Sequence, residues 1–119
     1  MRVWNIVQTP EFQDWFDGSD KRLQEDILEH VELLRELGPE LRRPYADTLR
    51  ASVISNLKEL RFNSRERVIR IFYVFDPNRN GVLLIGGNKS SSGDKKFYKT
   101  MIEQSEKIYL RYLGNRSKT

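Results

Sequence analysis

Three charged residues, Glu59, Arg61 and Arg70, stand inside segments that otherwise read as buried strand: Leu57-Lys58-Glu59-Leu60-Arg61-Phe62 and Arg67-Val68-Ile69-Arg70-Ile71-Phe72-Tyr73-Val74-Phe75. Strand interiors rarely carry charge unless one face of the sheet uses it. Side chains alternate along a strand, so Leu57, Glu59 and Arg61 share one face, and Lys58, Leu60 and Phe62 share the other. With Asn63 to Glu66 as the hairpin link, Phe62 faces Arg67, Arg61 faces Val68 and Glu59 faces Arg70. Arg61 then lies about 7 Å along the same face. A link one residue longer or shorter reverses the match.

One carboxylate beside two guanidinium groups suits a phosphodiester. Arginines clamp phosphate oxygens and stabilise the pentavalent transition state, and a carboxylate accepts the proton of an attacking hydroxyl. In RNA that hydroxyl is the 2′-OH of the substrate itself, so neither metal nor histidine is required. The competing reading is an ordinary solvent-facing ion pair between Glu59 and Arg70, worth about 0.2–1 kcal/mol. Gly86-Gly87 would let the backbone approach a ligand, Lys89 follows just past a strand end, and Tyr98 sits beside Phe97 at the start of the last helix, placed to stack on a base or donate a proton. Each also has a plain structural reading, as a bulge, a solvated lysine and a core ring.

The elements that must hold these residues follow from pattern. Residues 2–8 alternate weakly as a first strand, and Thr9-Pro10-Glu11 caps and starts a helix bearing Phe12, Trp15 and Phe16 on one face. Gly18-Ser19-Asp20 breaks and recaps the chain. Leu23, Ile27, Val31 and Leu34 then mark a second helix that Gly38-Pro39 stops. Residues 39–56 carry no clear pattern, with Arg42-Arg43-Pro44-Tyr45 in a loop. Strands follow at 57–62, 67–75 and 82–86, then a polar loop, Asn88 to Gly93, and a helix over 94–113 with Phe97, Met101, Ile102, Ile108 and Leu113 among its apolar positions. Residues 114–119 read as a loose tail. The expected fold is α+β: an N-terminal strand, two helices, a three-stranded antiparallel meander and a C-terminal helix, with the helices on one face of a mostly antiparallel sheet in a single domain over 1–119.

Composition narrows the function classes. At 119 residues the chain holds one modest core, so function belongs on a surface or in a shallow groove. There is no cysteine and a single histidine, His30, which excludes Cys/His zinc sites, thiol nucleophiles and disulfides; His30 reads as a surface or boundary residue. No apolar run approaches the roughly 20 residues of a membrane span. Met1 to Ile6 lacks a signal peptide's apolar centre, so a cytoplasmic protein is expected, with no cofactor and no metal. Charge is uneven. Residues 1–39 hold four Lys/Arg against nine Asp/Glu, residues 40–75 eight against four, and residues 86–119 eight against three. An acidic first third joined to a basic remainder suggests one side that meets a polyanion.

Lys58-Glu59-Leu60-Arg61, Arg67-x-x-Arg70-Ile71-Phe72-Tyr73-x-Phe75-Asp76-Pro77, Leu83-Leu84-Ile85-Gly86-Gly87-Asn88-Lys89 and Phe97-Tyr98, in that order, resemble the HigB branch of the RelE/ParE toxin superfamily. Resemblance extends over nearly the whole chain, including the helix stop at Leu37-Gly38-Pro39. It implies a RelE-like fold and the toxin of a type II toxin–antitoxin module, neutralised by a HigA-like helix-turn-helix antitoxin and meeting operator DNA only through it. It also implies a metal-independent endoribonuclease cutting mRNA on the 70S ribosome, with the 2′-OH as nucleophile and a 2′,3′-cyclic phosphate as product. Under it Glu59 is a general base, Arg61 and Arg70 contact phosphate, Lys89 is the basic residue after the last strand, and Tyr98 stacks or donates. Lys58, Lys95, Lys96, Arg42 and Arg43 are the further RNA-binding candidates. The loop at Asn88 and Ser90 to Gly93 departs from the tighter charged loop of that branch.

Two other functions share the expected fold: a ParE-like inhibitor of DNA gyrase without RNA cleavage, and a toxin that has lost activity and serves only as an antitoxin-binding co-repressor. On an open sheet face, Glu59→Ala or Arg70→Ala is expected to leave folding near normal and to abolish growth arrest.

Overall fold

The computed structural model describes residues 3–91 and 93–116. Among the described residues the chain is α+β, with three α-helices and a five-stranded mixed sheet in the order β1-β5-β4-β3-β2. Strand β1 (Asn5–Gln8) runs parallel to β5 (Asn80–Asn88), while β2 (Ala46–Thr48), β3 (Lys58–Ser64), β4 (Arg67–Phe75) and β5 pair antiparallel. The meander and the N-terminal strand are therefore as the pattern predicts. The fifth strand, β2, is a correction: it falls in the unpatterned segment, too short and polar to signal itself, and pairs Asp47 with Glu59. Val3 and Trp4 lie outside β1, and residues 1–2 lie outside the described residues.

Local signals set the helices. The Thr9 hydroxyl accepts the Phe12 N–H at 3.1 Å and donates toward the Leu83 and Leu84 carbonyls at 3.0 and 2.8 Å, which caps α1 (Pro10–Asp17) and pins it to β5. Those carbonyls need a donor because Phe72 pairs with Ile85 and Tyr73 with Leu83, leaving Leu84 as an extra residue in β5. Asp20 caps α2 (Lys21–Leu37) through the Leu23 N–H at 2.9 Å, and Leu23, Ile27, Val31 and Leu34 are all buried. Gly38 ends α2 at φ 54°, where a β-carbon would overlap the Trp4 indole. His30 is a boundary residue stacked on Phe62, ring centroids 4.1 Å apart.

Two apolar layers flank the sheet. One joins α1 and α2 to Leu60, Phe62, Ile69, Ile71, Tyr73 and Leu83, the face expected to be covered. The second joins Phe72, Val74, Val82 and Leu84 to Phe97, Met101, Ile102 and Ile108 of α3 (Asp94–Arg116). Helices thus cover both faces, not one, because Leu57, Phe72 and Val74 share the face of Glu59 and Arg70 and need apolar cover. The helix also continues through Gly114–Arg116, part of the expected loose tail; residues 117–119 lie outside the described residues. No helix among the described residues is long and apolar enough to cross a membrane.

Candidate functional site

Register places the charged strand residues. The β3–β4 turn is only Arg65-Glu66, with Arg65 at φ 58°, so Ser64 pairs with Arg67, Arg61 with Arg70, and Glu59 with Phe72. The link is even, the parity on which the expected faces depend, so the faces are preserved, but the pairing slides by two residues. Ser64 explains the slide: it is fully buried and donates to Asp26 on α2 at 2.7 Å, so it belongs to the strand rather than to a loop. Glu59 and Arg70 therefore meet diagonally.

The expected open face is half covered, and its centre is dry. Glu59 is 2% exposed and Arg70 is 6% exposed. One Glu59 oxygen accepts from Arg61 Nη1 at 2.7 Å; the other accepts the Tyr98 hydroxyl at 2.7 Å and lies 3.6 Å from Arg70 Nε. Arg70 donates from Nε to the Tyr98 hydroxyl oxygen at 3.2 Å and from Nη1 to the Ile69 carbonyl at 2.9 Å. The tyrosine ring is set edge-on to Phe72 and Phe97, which fixes its position by packing. Burial first, then the bond and charge of Glu59, push the Tyr98 phenol above its usual value, against a smaller opposing pull from Arg70.

Glu59, Arg61 and Tyr98 of this cluster line a cavity of about 410 Å³ together with Arg43, Asp47, Arg50, Lys89 and Asp94, whereas Arg70 does not reach it. Lys89 opens a short 3₁₀ turn (Lys89–Ser91) after β5, held where the Ser90 hydroxyl accepts the Val68 N–H at 2.9 Å. Its ammonium lies 3.3 Å from the Asp94 carboxylate and 5.6 Å over the Tyr98 ring. Arg43 bonds Asp47 through Nε and Nη2 at 3.0 and 2.8 Å, and that bond holds the Asp47 carboxyl below its usual range despite partial burial. Arg43, Arg61 and Lys89 are thus each matched to a carboxylate, whereas the exposed Arg50 has no carboxylate partner among the described residues.

Of the sequence candidates, the fold brings together Glu59, Arg61, Arg70, Tyr98, Lys89 and Arg43. Lys58 points to the other side of the sheet edge, where its ammonium donates to Thr48 at 2.8 Å and lines a separate groove with Arg42 and Arg43. Lys95 and Lys96 are exposed on the first turn of α3 and do not line the cavity. Asp47, Arg50 and Asp94 are the residues sequence reasoning missed; only the basic bias of residues 40–75 hinted at Arg50. The glycine pair also has a different use from the expected ligand approach. A methyl on Gly86 would overlap the Trp15 ring, and one on Gly87 would press on Met101 and Phe97 at 3.0 and 3.1 Å, so both serve packing. Among the described residues no group of three or more His, Cys, Asp or Glu side chains could hold a metal ion.

Two curated proteins are similar to most of this chain. A Mycobacterium tuberculosis protein named "Putative toxin HigB2" is 35% identical over 101 residues, 84% of this chain and 50% of that protein, so the chain spans half the relative's length. A second from the same organism, "Putative toxin HigB3", is 33% identical over 93 residues, 78% of this chain and 79% of that protein. Residues 14–110, which include every side chain of the cavity, match the family described as Phage derived protein Gp49-like (DUF891), and to that family the chain belongs.

Proposed function

We propose that this chain is the toxin of a type II toxin–antitoxin module of the RelE/ParE superfamily, and that it stops translation by cutting mRNA on the ribosome. The toxin names of the two Mycobacterium tuberculosis relatives support the first part. One observation carries the second: a buried carboxylate, Glu59, bonded to a tyrosine hydroxyl and an arginine at the floor of a cavity rimmed by Arg43, Arg50, Arg61 and Lys89. Such a floor offers a proton acceptor, and such a rim takes the phosphates of a single strand. The Arg43–Asp47 pair is solvent-facing, and in the Lys89–Asp94 pair the carboxylate is, so both can yield to a phosphate. The partners of this reading are the 70S ribosome with its mRNA and a HigA-like antitoxin, through which alone the toxin meets operator DNA; its compartment is the cytoplasm.

Purified chain, added to ribosomes programmed with a defined mRNA in the presence of EDTA, should create new 5′ ends by primer extension, and few or none when ribosomes are omitted. Upstream fragments should end in 2′,3′-cyclic phosphate. Intact mRNA together with a DNA-damage response on expression would instead point to gyrase as the target.

A further inference from the structure

Four cations, Arg43, Arg50, Arg61 and Lys89, line the cavity, but so do three carboxylates, Asp47, Glu59 and Asp94, and its net charge is only +1. That balance suits a polyanion poorly, because attraction grows with the number of cations free to replace its counterions. Glu59 is buried and bonded to Tyr98, which accounts for it. Asp47 and Asp94 need another account. Asp94 opens α3, where an acid suits the positive end of a helix. Asp47 has no such benefit. It stands directly opposite Glu59 across β2 and β3, and like charges at facing positions weaken a sheet. Nor is it loosely placed, since one oxygen accepts the Thr48 N–H at 2.9 Å while the other accepts from both Nε and Nη2 of Arg43. A carboxylate is thereby fixed on the guanidinium that a phosphate oxygen would bind. Asp94 does the same to Lys89 at 3.3 Å. Among the described residues, Arg50 alone of the rim cations is left without a carboxylate.

On the reading that this cavity cleaves RNA on the ribosome, we infer that Asp47 and Asp94 are specificity-determining residues: they stand in for phosphates on Arg43 and Lys89, so that free single-stranded RNA binds poorly and a strand held by the ribosome displaces them. Both pairs open without disturbing the core, since the Arg43 side chain is 67% exposed and that of Asp94 is 73% exposed. A free strand must break the two pairs out of its own binding energy. A strand already fixed in place arrives at high effective concentration, and contacts made elsewhere on the ribosome offset the cost of displacement. The Asp47 carboxyl, held below its usual range first of all by the Arg43 bond, stays charged at neutral pH, so the block persists there.

Fluorescence anisotropy of a short labelled 2′-O-methyl RNA, which lacks the attacking hydroxyl and stays intact, tests this with wild type, Asp47→Asn, Asp94→Asn and the double variant, each shown to be folded by far-UV circular dichroism. An exposed ion pair is worth about two- to fivefold in an equilibrium constant, so each single variant should bind tighter by that factor and the double variant by about 4- to 25-fold. The slope of log affinity against log salt should steepen by up to about 0.7 for each cation released. Glu29→Gln with Glu36→Gln, on exposed residues of α2 outside the cavity, changes the net charge equally and should stay within about twofold of wild type. With unmodified mRNA, the ratio of ribosome-bound to free-strand cleavage should fall by about fourfold or more in the double variant. A folded double variant that binds less than about fourfold tighter, an unchanged cleavage ratio, or a control pair that tightens binding as much overturns the stand-in role and leaves the endonuclease reading intact. Should Asp47→Asn fail to fold, Asp94→Asn alone decides, at a threshold of about twofold. Wild-type chain that cuts no mRNA even on ribosomes overturns the endonuclease reading and this inference with it, whatever the affinities.

Discussion

Truncating Glu59 to alanine should unsettle the whole fold, not only the site. The carboxylate faces Arg61 at 2.7 Å, Arg70 at 3.6 Å and the Tyr98 hydroxyl at 2.7 Å. Without it, Arg70 keeps a buried charge with no facing carboxylate, and the phenol loses its acceptor. Removing one partner of a buried pair costs about 3–5 kcal/mol. Arg61 is 23% exposed and can turn to water, which favours the lower end, near ~3 kcal/mol. For a chain of 119 residues each kcal/mol moves the melting temperature by roughly 3–5 °C, so Glu59→Ala should melt about 10–15 °C below wild type. Glu59→Gln keeps the shape and an acceptor oxygen and should lose only about 1–2 kcal/mol, or roughly 3–10 °C. Thermal unfolding followed by far-UV circular dichroism at pH 7 measures both. If Glu59→Ala melts within about 3 °C of wild type, the buried-pair account is wrong and the open-face expectation of near-normal folding returns. The magnitude also dictates that activity be tested with Gln and Phe variants, since an inactive alanine variant would report unfolding.

Three further outcomes follow from single contacts. Gly86→Ala should cost about 1–3 kcal/mol by overlap with the Trp15 ring, whereas Gly93→Ala, with nothing within 4 Å of the added methyl, should melt like wild type. Burial works to raise the Asp76 carboxyl, but bonds from Asn80, Tyr112 and Asn78 outweigh it and hold the group below 3.8; its stabilisation is complete above that value and fades as pH falls through the lower folded one, so urea midpoints of Asp76→Ala should fall less steeply below pH 4 than those of wild type. Tyr98, raised from 10.0, contributes stability that is complete below pH 10 and lost as pH climbs through its folded value; the 295 nm titration of wild type minus Tyr98→Phe should show one tyrosine ionising above 10, and ionisation at or below 10 would contradict its burial against Glu59.

What could be read from the chain was whatever depends on neighbours in sequence. Thr9, Asp20 and Gly38 announce helix ends because a cap or a left-handed stop is a local requirement. Alternation in β3 and β4 sorts Leu60, Phe62, Ile69 and Ile71 from Glu59, Arg61 and Arg70, so the three charged strand residues of the site were legible. The rest depended on distant partners. Ser64 looks like loop until Asp26 of α2 supplies its acceptor, and that contact moves the register by two. Strand β2 exists because Ala46–Thr48 can pair with the edge of β3, which no propensity in those three residues demands. Lys58, Lys95 and Lys96 shared the basic bias of the site but not its location, since net charge carries no direction. Asp47 and Asp94 were invisible because their role is to face cations brought there by the fold.

The edge-on seat of Tyr98 against Phe72 and Phe97 makes one ring both a wall of the core and a wall of the cavity. For a lineage released from selection on activity, drift is then uneven. Arg43 and Arg50 lie in the open and can change while the chain still folds, whereas Glu59, Arg70 and Tyr98 are retained because the core leans on them. Descendants that have gone silent should therefore keep an intact-looking centre and lose the rim. In sorting active from inactive relatives, the cations at the edge of the cavity are the more telling residues than the buried cluster at its floor.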